Sequence, residues 1–358
     1  MNILQVCSFF ASYEGNFLKS LYSLDKALEE KGHKTCYAFP QKAFEMQWCR
    51  ELQKRTKVFA LPFKSSRLNT KAVSELKRII KDEHINIVHS HFEFYDIACK
   101  KAAGKDTKVF WHLHDPIVKA RRPYKNWIVK LQYSHYGKGV TLISVCDYYK
   151  DIAVSLGFSK DDAKTILNGI DLDRIKYPYP NGTREYDFLT FGWDFYRKGV
   201  DVILNVMKRL ASEGYRFKFL LNCKENTKPL INNQLGGETP DWLVIGDPVE
   251  DVNTLFCNSN TFIQGSVRET FCYAACEAAY AGLDIISSDI EGLEWAHSLP
   301  SVTFFESKNE EQLYSLLKQR LDEKFQIPLS AIKKSREIIE KEYSTDKWVS
   351  EIIKQYLA

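Results

Sequence analysis

Strand-like and helix-like segments alternate twice along this chain, with one break between the two runs, and that rhythm constrains its fold more than anything else. In the first run NILQVCS (2–8) reads as a strand, followed by a helix over 16–31 that stops at Gly32. KTCYAF (34–39), KVFALP (57–62), INIVHSH (85–91), KVFWHLH (108–114), TLISVC (141–146) and KTILNG (164–169) are further strands, with an amphipathic helix over 70–83. The second run holds DFLTFGW (187–193), a helix over 198–213, FKFLLN (217–222), WLVIG (242–246), TFIQG (261–265) and LDIISSD (283–289). Helices over 309–322, 328–342 and 345–357 follow. Strands that alternate with helices imply parallel sheets covered on both faces. The break, DLDRIKYPYPNGTREYD, carries Pro178, Pro180 and Asn181-Gly182 and reads as an interdomain linker. The expectation is α/β, with two doubly wound domains in tandem: 1–170, a linker 171–186, and 187–342, before a last helical segment 343–358.

A chain of 358 residues is too long for one small core. Its 44% hydrophobic and 27% charged content is that of an ordinary globular protein. No apolar run reaches the eighteen or so residues that span a bilayer, and MNILQVCSFF runs straight into a strand without a basic leader, so no signal peptide is expected. Nine cysteines are scattered without a CxxC pair, which suits a reducing cytosol. A net charge of +4, spread along the chain, does not argue for nucleic acid.

Glu269 and Glu277, in RETFCYAACE, carry the most chemistry. The first sits on a loop at the carboxyl end of TFIQG; the second lies about two turns into the following helix, which Gly282 closes. Between them is a helix N-terminus, whose free N–H groups and positive dipole end attract phosphate. Two carboxylates able to hold sugar hydroxyls on either side of a diphosphate cradle describe a nucleotide-sugar site. Two glutamates on a solvated helix would not need the first one on the loop.

Open parallel sheets bind ligands outside the carboxyl ends of their strands. The residues at those ends are Glu14-Gly15-Asn16, His91 with Glu93, His114 with Asp115, Asp194 through Gly199, Gly246-Asp247, and Ser266 with Glu269. Arg197-Lys198-Gly199 opens a helix directly after a strand, where cations oppose the dipole unless an anion joins them, so the two cations are read as a diphosphate clamp rather than as solvated side chains. His114 is a candidate for orienting a sugar or holding a reacting hydroxyl, although a strand-end histidine is more often structural. His89, His91 and His112 are crowded nearby, but H-x-H puts two rings on one face without fixing a third ligand, and no metal is expected. Asp171 and Asp173 imitate a metal-binding DxD, yet they follow Asn168-Gly169 in a turn and serve its backbone.

These residues together resemble the retaining GT-B glycosyltransferases of family 4, which include many bacterial polysaccharide and phosphoinositol-mannoside transferases. The matching pieces are the Glu269/Glu277 pair, FGWDFYRKGVDVIL, NGID, LVIGDP, AACEAAYAGLDIISSDIEG and LYSLDKALEEKGHKTCYAF, spread over nearly the whole chain. The resemblance implies two Rossmann-like domains facing across a cleft, acceptor in the first and nucleotide sugar in the second, with the last helix crossing back to the N-terminal domain. It implies that Glu269 contacts the donor sugar and Glu277 the ribose. Backbone amides of Phe271, Cys272 and Tyr273 would hold the diphosphate with Lys198, and Gly246 joins the nucleotide-binding positions. His114 matches the histidine beside the transferring sugar, and Gly15 the glycine loop over the phosphates. The implied reaction moves a sugar from a nucleoside diphosphate, UDP rather than GDP, to a glycan or polyprenyl-linked hydroxyl. It proceeds with retention by front-face departure and needs no cofactor or metal.

Three departures mark this sequence. Trp193 stands where the family commonly has Arg, with Arg197 able to supply the charge; Thr270-Phe271-Cys272 replaces Gly-Phe-Gly; and Glu14-Gly15 replaces Gly-Gly. They motivate a second reading, a degenerate transferase that partners an active one. Nucleotide-sugar 2-epimerases share the architecture and form a third. The stretch 119–139 is basic and aromatic: Trp127, Ile128 and Leu131 form a stripe flanked by Arg121, Arg122, Lys125 and Lys130. A core-packing helix with a basic edge is its plainer reading, and weak association with an anionic membrane surface the other.

Overall fold

The computed structural model describes residues 1–64, 67–117, 126–176, 184–249, 251–322 and 327–358. They form two compact units, Met1–Gly169 with Thr345–Ala358, and Ile170–Ser344.

The first unit is built on seven strands: β1 (Asn2–Cys7), β2 (Lys34–Pro40), β3 (Val58–Leu61), β4 (Ile87–His91), β5 (Lys108–Leu113), β6 (Thr141–Ser144) and β7 (Ala163–Thr165). Their order is β3-β2-β1-β4-β5-β6-β7, and every pairing is parallel. The apolar runs that mark these strands are buried on both faces, as parallel sheets require. Leu4, Val6, Trp111 and Leu142 pack into one layer. Ile3, Phe110 and Ile143 pack into the other, with Leu18 and Leu21 of the helix Gly15–Glu29 and with Trp348, Ile352 and Tyr356 of the last helix, Thr345–Leu357.

The second unit has β8 (Tyr186–Phe191), β9 (Phe219–Asn222), β10 (Leu243–Gly246), β11 (Ser259–Gln264), β12 (Asp284–Asp289) and β13 (Val302–Glu306). Their order is β10-β9-β8-β11-β12-β13, again all parallel. Residues read from sequence as linker are partly structured: Leu172–Arg174 is a 3-10 turn. Ile170, read as the last residue of the first domain, belongs to the second unit, where its N–H donates to the Tyr343 carbonyl at 2.8 Å. Pro178, Pro180 and Asn181-Gly182 lie outside the described residues. Two further expectations need correction. KTILNG shortens to β7, whose last tie to β6 is the Ile166 N–H donating to the Ser144 carbonyl at 2.9 Å. β13 went unread because VTFFE follows a 3-10 turn instead of a helix pattern.

In each sheet the strand order reverses once, between β1 and β4 in the first and between β8 and β11 in the second. Such reversals open a crevice at the carboxyl edge, where ligands of doubly wound sheets bind.

Candidate functional site

At the β8/β11 reversal the chain leaves β8 at Phe191 and turns through residues 192–199 before entering the helix Val200–Ser212. Gly199 is left-handed, with φ 64°, and a Cβ there would lie 2.0 Å from the Gly265 carbonyl oxygen. Only glycine permits this approach of two backbones. A second tie joins the Val267 N–H to the Arg197 carbonyl at 2.9 Å. Together they hold Arg197 and Lys198 beside the loop that follows β11.

Glu269 projects from that loop. Its Oε1 lies 2.6 Å from Lys198 Nζ, 3.2 Å from Arg197 Nη1 and 2.9 Å from Ser266 Oγ. Gln264 Nε2 approaches the same oxygen at 3.4 Å and Ser266 at 2.7 Å. Burial is the largest influence on both charges and opposes them, but the surrounding groups together outweigh it: Lys198, Arg197 and Ser266 hold the Glu269 carboxyl below its ordinary range, and Glu269 above all holds the Lys198 ammonium above its own. Gly292 fixes the loop from behind, where a Cβ would meet the Glu269 carbonyl oxygen at 2.1 Å. Arg197 also pairs with Asp194 at 3.1 Å.

The next helix, Tyr273–Tyr280, is preceded by Cys272 in a left-handed conformation with φ 62°. A non-glycine residue there costs about 1 kcal/mol or more. The Trp295 indole holds the turn by donating to the Phe271 carbonyl at 2.7 Å and stacking on its ring at 4.9 Å. Burial pushes the Cys272 thiol up to about 11, so it is neutral near pH 7. Glu277 is buried and paired with Arg174 at 3.1 Å. Arg174 is set by the Leu172–Arg174 turn, which Asp171 caps by accepting the Asp173 N–H at 3.2 Å. The apparent DxD thus does turn work. Gly246 ends β10 beside Asn222, which also accepts from the Trp193 indole at 3.5 Å.

In the first unit His91 ends β4 and His114 follows β5. His89, His91, His112 and His114 form a two-by-two array of rings, with centroids 4.1 Å apart along each strand. His91 Nδ1 meets His114 Nε2 at 3.0 Å, and His91 Nε2 meets Gln5 Oε1 at 2.8 Å. Burial holds the His114 imidazole down to about 3, and its three neighbours also well below the usual histidine range. The third imidazole that H-x-H alone did not fix is supplied by β5: His89, His91 and His112 bring nitrogens within 4.8 Å of one another. Gly15 opens its helix with φ 60°.

Arg197, Lys198 and Glu269 are therefore in contact, Phe271, Cys272, Tyr273 and Glu277 lie on the adjoining element, and His114 and Gly15 belong to the other unit. Sequence reasoning missed Arg174, Gln5 and Tyr356, whose partners are far away in the chain. Among the described residues of the stretch 119–139 the buried side chains are Val129, Gln132 and Tyr133, while Trp127 is 57% exposed and Ile128 and Leu131 are half-buried. Arg121, Arg122 and Lys125 lie outside the described residues. No helix among the described residues is long and apolar enough to cross a membrane.

Both halves of this geometry match known proteins. Residues 19–174 match the model of Glycosyltransferase Family 4, and residues 186–322 that of the Glycosyl transferases group 1. The chain belongs to glycosyltransferase family 4. A glycosyltransferase from Rickettsia africae has the same fold, with TM-score 0.79 and 16% identity over 99% of this chain and 97% of that one. So does HepE of Anabaena in complex with UDP and glucose, with TM-score 0.77 and 12% identity over 99% of both chains. This family 4 glycosyltransferase is also 24% identical, over 340 residues, to a human protein that forms part of phosphatidylinositol N-acetylglucosaminyltransferase. That match takes in 82% of this chain and 63% of the human protein. The fold is GT-B.

Proposed function

We propose that this glycosyltransferase moves a sugar, with retention, from a UDP-sugar to a hydroxyl of a glycan or lipid-linked acceptor, without a metal, in bacterial cell-surface polysaccharide synthesis. The carrying observation is the Arg197–Lys198–Glu269 cluster at the strand-order reversal of the second unit. A departing diphosphate gains charge as the glycosidic bond breaks. Lys198, Arg197 and the amides of Phe271, Cys272 and Tyr273 are placed to stabilise that charge, the task a metal ion performs elsewhere.

Glu269 takes the hydroxyl-binding role and Glu277 the ribose. Donors crowd Glu269 Oε1 and depress its basicity, which makes it a poor nucleophile and favours front-face departure over a covalent intermediate. In the first unit His114, kept neutral by burial, takes the sugar-orienting role and Gly15 the mobile-loop role. The UDP complexes of HepE support the donor base, and the human relative supports a lipid-linked acceptor. Nine free cysteines suit a cytosolic location, and exposed Trp127 suits weak association with the membrane face.

A thermal-shift panel of UDP, GDP and ADP with their sugars, each with and without EDTA, tests this. Stabilisation by UDP species regardless of EDTA is expected. Absence of a shift with every nucleotide would instead favour the partner-protein reading.

A further inference from the structure

The histidine array of the first unit is joined to the last helix by a chain of hydrogen bonds. Tyr356 Oη lies 2.5 Å from His89 Nδ1 and 3.2 Å from Gln5 Nε2. Gln5 Oε1 then meets His91 Nε2 at 2.8 Å, and His91 Nδ1 meets His114 Nε2 at 3.0 Å. His89, His91, Gln5 and Tyr356 are all buried, so water does not compete for these groups.

The trio His89, His91 and His112 invites a metal reading, but the bonding argues against it. Both nitrogens of His91 are already engaged, and the trio includes no carboxylate to balance a dication in an apolar interior.

The bonds instead order protons. A phenol is the stronger acid and an imidazole the stronger base, so the short Tyr356–His89 contact runs from hydroxyl to ring. The Tyr356 oxygen then accepts from the Gln5 amide nitrogen, which turns the amide oxygen toward His91. An amide oxygen only accepts, so His91 carries its proton on Nε2 and is bare at Nδ1. The donor in the last bond must therefore be His114 Nε2, and a neutral His114 presents Nδ1 as its acceptor. Turning the amide over would reverse every proton in the chain.

We propose that Gln5 and Tyr356 are positioning residues that set, through His91, which ring nitrogen of His114 carries the proton. The proposal deepens the transfer reading and rests on His114 as the sugar-orienting group: with the proton on Nε2, His114 accepts a hydrogen bond from a sugar hydroxyl through Nδ1 rather than donating one.

Long-range proton–nitrogen correlation spectra of the full chain, labelled with 15N-histidine, distinguish the two tautomers, and loss of the signal in His114→Gln assigns it. The expected wild-type state is protonation on Nε2. Gln5→Met keeps the side-chain length but removes the amide, and His114 then populates both tautomers. UDP release from UDP-glucose or UDP-N-acetylglucosamine should show kcat down about tenfold at an unchanged KM, the effect of one misdirected hydrogen bond in the transition state. Tyr356→Phe, milder for folding, shifts both readouts in the same direction. A role confined to packing would lower the melting temperature of either variant without moving the tautomer. The proposal is overturned if His114 keeps one tautomer in both variants, or if the wild type carries the proton on Nδ1. If the tautomers respond as expected but the wild type releases no UDP from either sugar nucleotide, the transfer reading fails and the proton relay stands.

Discussion

Lys198 Nζ and Glu269 Oε1 lie 2.6 Å apart, with the two side chains only 13% and 10% exposed. The pair binds the turn after β8 to the loop after β11, so the cation proposed for phosphate and the carboxylate proposed for sugar are one electrostatic unit.

Lys198→Ala should therefore act at both ends of the pair. UDP affinity is expected to fall about tenfold, or ~1.4 kcal/mol, for one lost charge-assisted contact. The Glu269 carboxyl, deprived of the strongest influence holding it down, should titrate at higher pH. Calorimetric titration with UDP checks the first effect, and unchanged affinity would remove Lys198 from the site.

The turn that carries Lys198 tests the argument from backbone proximity. Gly199→Ala must drive a methyl group into the Gly265 carbonyl, and about 3 kcal/mol of destabilisation is expected. Gly32→Ala shares the left-handed backbone, with φ 75°, but meets nothing within 4 Å, so it should lose only about 1 kcal/mol. Urea midpoints of the two variants give the comparison, and equal losses would refute the close approach.

Much of this was legible in the sequence because its signals are local. Strand-end placement of Arg197, Lys198 and Glu269 follows from the strand–loop–helix rhythm, and Asp171 advertised its turn through the Asn-Gly before it. Arg174 was not legible: nothing near it in the chain says that it pairs with Glu277, over a hundred residues away. The same is true of Gln5, whose partners Tyr356 and His91 come from the opposite end of the chain and from another strand. The stripe read from Trp127, Ile128 and Leu131 differed in phase from the buried face, because the helix is one short turn and a half (Asn126–Leu131) that runs on into a π turn, where a 3.6-residue period no longer applies.

Arg174 gives a way to separate binding from packing at Glu277. Glu277→Ala should destabilise the protein by about 3 kcal/mol, because it leaves a largely buried guanidinium without its partner. Adding Arg174→Ala should recover part of that stability. If Glu277 holds the ribose, UDP affinity remains low in the double variant. Recovery of UDP binding together with stability would show that Glu277 acts only by restraining Arg174.

The histidine array predicts an acid-labile first unit. His89, His91 and His112 are held neutral by burial first and by their neighbouring imidazoles second, with folded-state pKa values well below 6.5. Unfolding releases them to the ordinary value, so below about pH 6.5 the unfolded chain binds protons that the folded chain refuses. Their full contribution to stability is present above that pH and drains away as the pH falls toward the folded-state values. His114, held down to about 3 by burial, behaves in the same way. Each histidine contributes a slope of ~1.4 kcal/mol per pH unit, so the four together give roughly 5.5. Urea midpoints at about pH 7.5, 6.5 and 5.5 should fall gently over the first step and about three times as much over the second. His112→Leu removes one titrating ring whose two nitrogens make no hydrogen bond among the described residues. It should reduce the acid slope by about a quarter while leaving stability near pH 7.5 little changed. A slope unaffected by this substitution would mean that the ring is charged, or hydrated, in the folded protein.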